Sequence, residues 1–302
     1  MILWILFLMT DMIIFKGLGT ALVTPFWNSN VDYDAYVELV KRQVRAGVDF
    51  IVPLGTTAET PCLTPQEKLD LIRLTKENAG ACPLLVGVGT NNLQSTIDNI
   101  KLFENKGADA FLVVTPYYNK PTQEGLYEYY KMVASATTRP IVLYNVPGRT
   151  GVNMTAKTTL SLAKIDNIVA IKEASGNYAQ ISEIIRSAPK NFTILSGNDD
   201  ETLALMATGA HGIISVASNI APEHILELTK AMLAMDLEKA RVLHHQLSPL
   251  FKNCFIESNP IPVKAGLAAM GLIKNELRLP LMASTAETYL VMKETINALG
   301  LL

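Results

Sequence analysis

Several things are scarce in this chain, and each scarcity removes a class of function. Of its 302 residues only three are cysteine and four histidine. Cys62, Cys82 and Cys254 stand far apart with no CxxC spacing, so neither a disulfide framework nor a zinc knuckle is encoded. His211, His224, His244 and His245 form no HxxxH pair, and nothing else points to a protein-ligated transition metal. No GxGxxG or GxxxxGK(S/T) fingerprint follows any apolar run, which argues against a nucleotide-binding sheet. Charge of one sign is lacking too. The net charge is −2 with acidic and basic residues interspersed, so no basic field exists to attract nucleic acid or an anionic membrane. The apolar run Met1–Met9 is too short to span a bilayer and has neither a basic start nor a small-residue cleavage site. It reads as part of an N-terminal extension, residues 1–16, with initiation expected near Met9 or Met12 rather than as a membrane anchor. The rest of the chain holds no transmembrane candidate.

What is present is a repeating alternation. From Gly17 onward, short runs rich in Val, Ile and Leu recur: Leu18–Val23, Phe50–Leu54, Leu84–Val88, Ala110–Val114, Ile141–Tyr144, Ile168–Ile171, Phe192–Leu195 and Gly212–Val216. Such runs suit parallel strands buried on both faces. The segments between them read as helices. Tyr33–Ala46 has Asp32 to cap its start and Gly47 its end, and Thr64-Pro65-Gln66-Glu67 spells a capping box with proline at the first helical position. Eight strand–helix units predict a (β/α)8 TIM barrel over residues 17–235, a fold that commonly occupies about 250 residues. An open doubly wound sheet is the alternative that counting alone leaves standing. Pro222–Met235, Leu237–Phe251, Pro262–Met270 and Ala283–Leu299 then read as helix with no strand between them. The first closes the barrel, and residues 236–302 form a C-terminal helical appendage expected to pack on it.

In a parallel barrel, polar residues just after the strands face the active-site mouth. Strand 2 ends in Gly55-Thr56-Thr57-Ala58-Glu59-Thr60, a turn that either cradles a carboxylate or simply caps a helix. Strand 4 ends in Thr115-Pro116-Tyr117-Tyr118-Asn119-Lys120-Pro121, whose phenols serve either as proton relays or as a packing patch. Strand 5 ends in Tyr144-Asn145-Val146-Pro147-Gly148-Arg149-Thr150-Gly151, where Arg149 suits bidentate recognition of a carboxylate. Strand 6 runs Ile168-Val169-Ala170-Ile171-Lys172. Partial burial of an amine there disfavours its charged form and makes a nucleophile available, although a lysine snorkelling out of a strand end is the plainer reading in isolation. Imine-forming lysine, proton-moving phenol and acid-holding arginine together make one coherent set.

Gly-Thr-Thr-x-Glu at 55–59, Tyr-Tyr at 117–118, Tyr-Asn-Val-Pro-x-Arg-Thr-Gly at 144–151 and Ile-Lys-Glu-Ala at 171–174 resemble the dihydrodipicolinate synthase family. That family lies within the pyruvate-dependent class I aldolases, which include N-acetylneuraminate lyase, and the resemblance runs from about Gly17 to near the C-terminus. It implies condensation of pyruvate with L-aspartate-4-semialdehyde to 4-hydroxy-tetrahydrodipicolinate, the first committed step of lysine and diaminopimelate biosynthesis, in the cytoplasm and without an organic cofactor. It also implies that Lys172 forms the imine, that Tyr144 donates and accepts protons, and that Thr56 and Tyr118 complete a relay, the tyrosine reaching in from a neighbouring subunit. Thr57 would hold the pyruvate carboxylate and Arg149 that of the semialdehyde, while Gly197 and Ile214 match backbone positions near lysine and substrate. The family's usual assembly is a homotetramer, a dimer of dimers.

Thr57 and Arg149 together favour the synthase over sialate and keto-deoxy-sugar lyases of the same group. A non-catalytic keto-acid sensor would be expected to have lost the lysine or the relay. Regulation is a point of departure. Feedback-regulated members bind lysine at a dimer interface, and this chain keeps Asn91 and Tyr117 of that site. It has Ser95 where the family has a glutamate, and Pro65 and Lys68 where histidines commonly stand, with Pro61 just upstream. A cationic ligand in a cleft requires a compensating carboxylate. Weak or absent inhibition by L-lysine is therefore expected unless another acid, such as Glu59, takes over.

Overall fold

The structure, a computed structural model, describes residues 15–302. The expectations for Met1–Met9 and for the start of translation lie outside the described residues. Eight parallel strands form one sheet: β1 (Gly17–Ala21), β2 (Phe50–Val52), β3 (Leu85–Gly87), β4 (Ala110–Val114), β5 (Ile141–Asn145), β6 (Ile168–Glu173), β7 (Thr193–Ser196) and β8 (Gly212–Ser215). The hydrogen-bonded order is β2-β1-β8-β7-β6-β5-β4-β3. Its two ends meet through a parallel bridge between Ile51 and Leu84, flanked by bonds from Ile51 N to Pro83 O and from Gly87 N to Pro53 O, each 3.0 Å. The sheet thus curls into the (β/α)8 barrel and not the open alternative.

The two-residue period of a strand sorts side chains into two cores. Along β5, Ile141 and Leu143 belong to the outer core between strands and helices, whereas Val142 and Tyr144 belong to the barrel interior. Along β6, Ile171 points outward and Ala170 inward, so Lys172, two residues after Ala170, also faces in. The floor of the interior is filled by Phe50, stacked edge-on against Phe15 with ring centroids 5.1 Å apart. Gly19 is needed there: a Cβ at that position would lie 2.0 Å from the Phe50 ring.

The helices start and stop where their caps dictate. Asp32 accepts from Ala35 N, Gly47 ends the same helix at φ 81°, and Thr64 and Glu67 form the reciprocal capping box. The loop expected after β5 differs from expectation. The Pro-Gly segment after β5 is a single helical turn, Pro147–Thr150, because Val146 O accepts from both Arg149 N and Thr150 N before Gly151 breaks away at φ 70°.

After β8 come helices Pro222–Leu233, Leu237–Asn253, Ile261–Ala269 and Ala286–Ala298. The last starts three residues later than its apolar pattern suggests, because Thr285 caps it by accepting from Thr288 N. The segment between the last two helices is bolted to the barrel by polar contacts. Arg278 forks onto Glu67 at 2.6 and 2.8 Å, and the hydrogen bonds hold the Glu67 carboxyl down at a pKa of about 2. Among the described residues no helix is long and apolar enough to cross a membrane.

Candidate active site

Lys172 and Tyr144 are register partners at the ends of β6 and β5. Both are buried, and Lys172 Nζ sits 4.5 Å from the centre of the Tyr144 ring. The amine is therefore held against the face of the phenol. Gly197, one residue past β7, leaves the space this requires. A Cβ on it would approach Lys172 Cε at 3.1 Å and Ala174 Cβ at 2.6 Å. Ile214, fully buried on β8, belongs to the same interior cluster as Tyr144.

Opposite the amine lies the turn that follows β2. Thr56–Ala58 forms one 3-10 turn, ended by Glu59 in the left-handed conformation at φ 52°. The turn is tied down by Thr24 Oγ1 donating to Ala58 O at 2.9 Å and Glu59 N donating to Thr56 O at 3.2 Å. Thr57 is buried and accepts 3.0 Å from Asn259 Nδ2, a residue of the C-terminal region. Glu59 is wholly buried against Lys264, with Oε1 2.7 Å from Nζ, and Oε2 accepts from Arg278 N at 3.0 Å. Burial pushes the Lys264 ammonium down to about 8 against the opposing pull of Glu59.

A cavity of 50 Å³ gathers Thr56, Thr57, Tyr144, Arg149, Lys172 and Gly197, with Asn198 and Asn259 also on its wall. It is a small pocket with one amine, one phenol, two hydroxyls and a guanidinium. Those are the groups that forming an imine, moving protons and holding carboxylates require. Two expected site residues stand apart from it. Ile214 packs in the interior without lining the cavity. Tyr118 is 88% exposed, sits at φ 72° in a projecting loop, and lines neither this cavity nor its neighbour.

Residues 14–299 match the model of the dihydrodipicolinate synthetase family. The chain belongs to that family. It is 49% identical over 287 residues to the 4-hydroxy-tetrahydrodipicolinate synthase of Phocaeicola vulgatus, covering 94% of this chain and 97% of the relative. The crystal structure of dihydrodipicolinate synthase from Thermotoga maritima superimposes with a TM-score of 0.94 at 45% identity, covering 95% of this chain and 99% of that one. A second solved relative, from Cyanidioschyzon merolae with lysine bound, gives 0.92 at 39% identity, over 95% of this chain and 99% of that one.

In this family member a larger cavity of 310 Å³ opens beside the first, sharing Thr56, Tyr144 and Arg149 with it. Thr60, Pro61, Lys68 and Tyr117 are on its wall, and no carboxylate is. Glu59 lines neither cavity, being engaged by Lys264 and Arg278.

Three polar residues at or beside the site escaped the reading of strand ends: Asn198 and Asn259, which line the cavity, and Asp199, which braces it from behind. Asp199, three residues past β7, is fully buried and accepts from Ser215 Oγ, Val216 N and Ala217 N, fixing the β8 loop; burial pushes its carboxyl up while those bonds and the Lys172 charge oppose. An acid so soon after a strand was a usable signal. Asn259 gave none, because it lies beyond the eighth strand, where the rule does not look.

Proposed function

We propose that this chain condenses pyruvate with L-aspartate-4-semialdehyde to give 4-hydroxy-tetrahydrodipicolinate through a Schiff base on Lys172. The reading is carried by one observation: a buried strand-end amine, 4.5 Å from a phenol ring, inside a pocket that also holds two threonines and an arginine. The Lys172 amine adds to the keto carbon of pyruvate, and loss of water leaves a protonated imine, an electron sink. Tyr144 takes part in the proton transfers, with Thr56 next in the relay. Loss of a methyl proton gives an enamine, whose carbon attacks the aldehyde. The amine of the bound semialdehyde then displaces Lys172 and closes the ring. Thr57 holds the pyruvate carboxylate and Arg149 that of the semialdehyde, while Gly197 and Ile214 shape the wall around the amine and its adduct.

Tyr118 completes the relay in this reading from a neighbouring subunit, and its exposure and left-handed backbone fit a side chain that serves another copy. The assembly that follows is a homotetramer of paired dimers, working in the cytoplasm, where three unpaired thiols are at home. Borohydride reduction in the presence of pyruvate tests the chemistry. The wild type should gain the mass of reduced pyruvate on Lys172, and Lys172→Ala should gain nothing. Equal labelling of both would sink the assignment, and absence of product with the semialdehyde would sink the substrate.

A further inference from the structure

We propose that Asn259 is a positioning residue for the keto acid: it occupies the acceptor side of the Thr57 hydroxyl, so that the hydroxyl hydrogen is aimed at the substrate carboxylate. The inference rests on the functional reading above and extends it to a residue of the C-terminal region. Asn259 is 5% exposed and lines the 50 Å³ cavity together with Lys172, Thr57 and Arg149. Its Nδ2 donates to Thr57 Oγ1 at 3.0 Å. Among the described residues its Oδ1 has no partner, so the side chain's one protein contact of this kind is with Thr57. A hydroxyl has one hydrogen to give and lone pairs to receive. With the amide donating, the hydrogen stays available, and an anion in the pocket is the group that requires it.

The surroundings make this contact rigid. Asn259 stands two residues before helix Ile261–Ala269, whose Lys264 is buried between Thr24 O at 2.8 Å and Glu59 at 2.7 Å. The same helix end therefore grips the Thr56–Glu59 turn at two points, one through Thr57 and one through Glu59. Arg149 Nη2 also lies 3.4 Å from Asn259 O, so the segment touches both groups given to the two carboxylates.

The test is made on the full chain by titrating pyruvate in the borohydride trap and in steady-state turnover. Asn259→Ala should raise half-saturating pyruvate about tenfold, the worth of one oriented hydrogen bond, and leave kcat at saturating substrate within about twofold. In a Thr57→Val background the same change should add nothing, because the two residues act as a unit. Asn259→Asp should be worse than alanine at about pH 8, since a carboxylate takes the Thr57 hydrogen and repels the substrate anion, and should recover relative to wild type as the new carboxyl is protonated towards about pH 5. Additive losses in the Asn259→Ala and Thr57→Val cycle, wild-type affinity in Asn259→Ala, or a fall in kcat with affinity unchanged would each overturn the proposal. If Asn259→Asp does not fold, the uncharged cycle decides alone. Failure of the wild type to be trapped at all would overturn the Schiff-base reading instead, which keeps the two failures apart.

Discussion

Replacing Lys264 by methionine puts the buried ion pair to a quantitative test. Lys264 and Glu59 have no exposed side-chain surface, and their charged atoms are 2.7 Å apart. At an effective dielectric near 20 the gross attraction at that distance is about 6 kcal/mol. Desolvating both ions offsets much of it, so the pair as a whole adds little over a well-packed apolar one. Removing one partner is different. Glu59 would keep only the bond from Arg278 N and would lose the charge that compensates its burial. Breaking such a pair costs about 3–5 kcal/mol. For a chain of this size, with an unfolding entropy of about 0.6 kcal/mol/K, that corresponds to a fall in Tm of roughly 5–8 °C. Lys264→Met should show this loss in chemical or thermal unfolding. The double variant with Glu59→Gln should recover most of it, because the orphaned charge is gone. A double variant no more stable than Lys264→Met, or a single variant as stable as wild type, would refute the electrostatic reasoning. Because Glu59 also ends the Thr56–Ala58 turn, the single variant should bind pyruvate less well at temperatures where it is still folded.

Gly197→Ala should slow imine formation at least about tenfold, because the added methyl meets Lys172 Cε at 3.1 Å and Ala174 Cβ at 2.6 Å; trapping at the wild-type rate would show that the amine has more freedom than this. Arg149→Lys should raise the Michaelis constant for the semialdehyde far more than that for pyruvate, since an ammonium cannot reproduce the guanidinium fork, and a parallel rise in both would remove Arg149 from its role. L-Lysine at millimolar concentration should inhibit weakly or not at all at saturating pyruvate. The 310 Å³ cavity has Lys68 on its wall and no carboxylate, while Glu59 is already bound. Strong saturable inhibition that vanishes in Tyr117→Ala would contradict this.

Much of this molecule was legible in one dimension. Alternation of apolar runs with capped amphipathic segments specifies a parallel β/α fold because strands buried on both faces have little freedom to be anything else. The placing of polar residues just after those runs was enough to single out Thr56, Thr57, Tyr144, Arg149 and Lys172, and the family resemblance added Gly197; all six line one cavity. Local signals also set the helix ends, through Asp32, Thr64 and Gly47.

Closure of the sheet, by contrast, depends on Ile51 meeting Leu84 across a seam, a pairing no local pattern encodes. The inward direction of Lys172 depends on the register shift between β5 and β6 as well as on parity within the strand. The roles of Asn259, Lys264 and Arg278 were hidden, because each contacts the Thr56–Glu67 stretch from about 200 residues further along the chain. Sequence spacing carries information only about neighbours on the same element. The sequence by itself therefore determined the elements, the polar groups at the strand ends and the family, each written in short contiguous motifs. Only the tertiary structure decided which distant side chains brace those motifs, since that follows from how the C-terminal helices dock on the barrel.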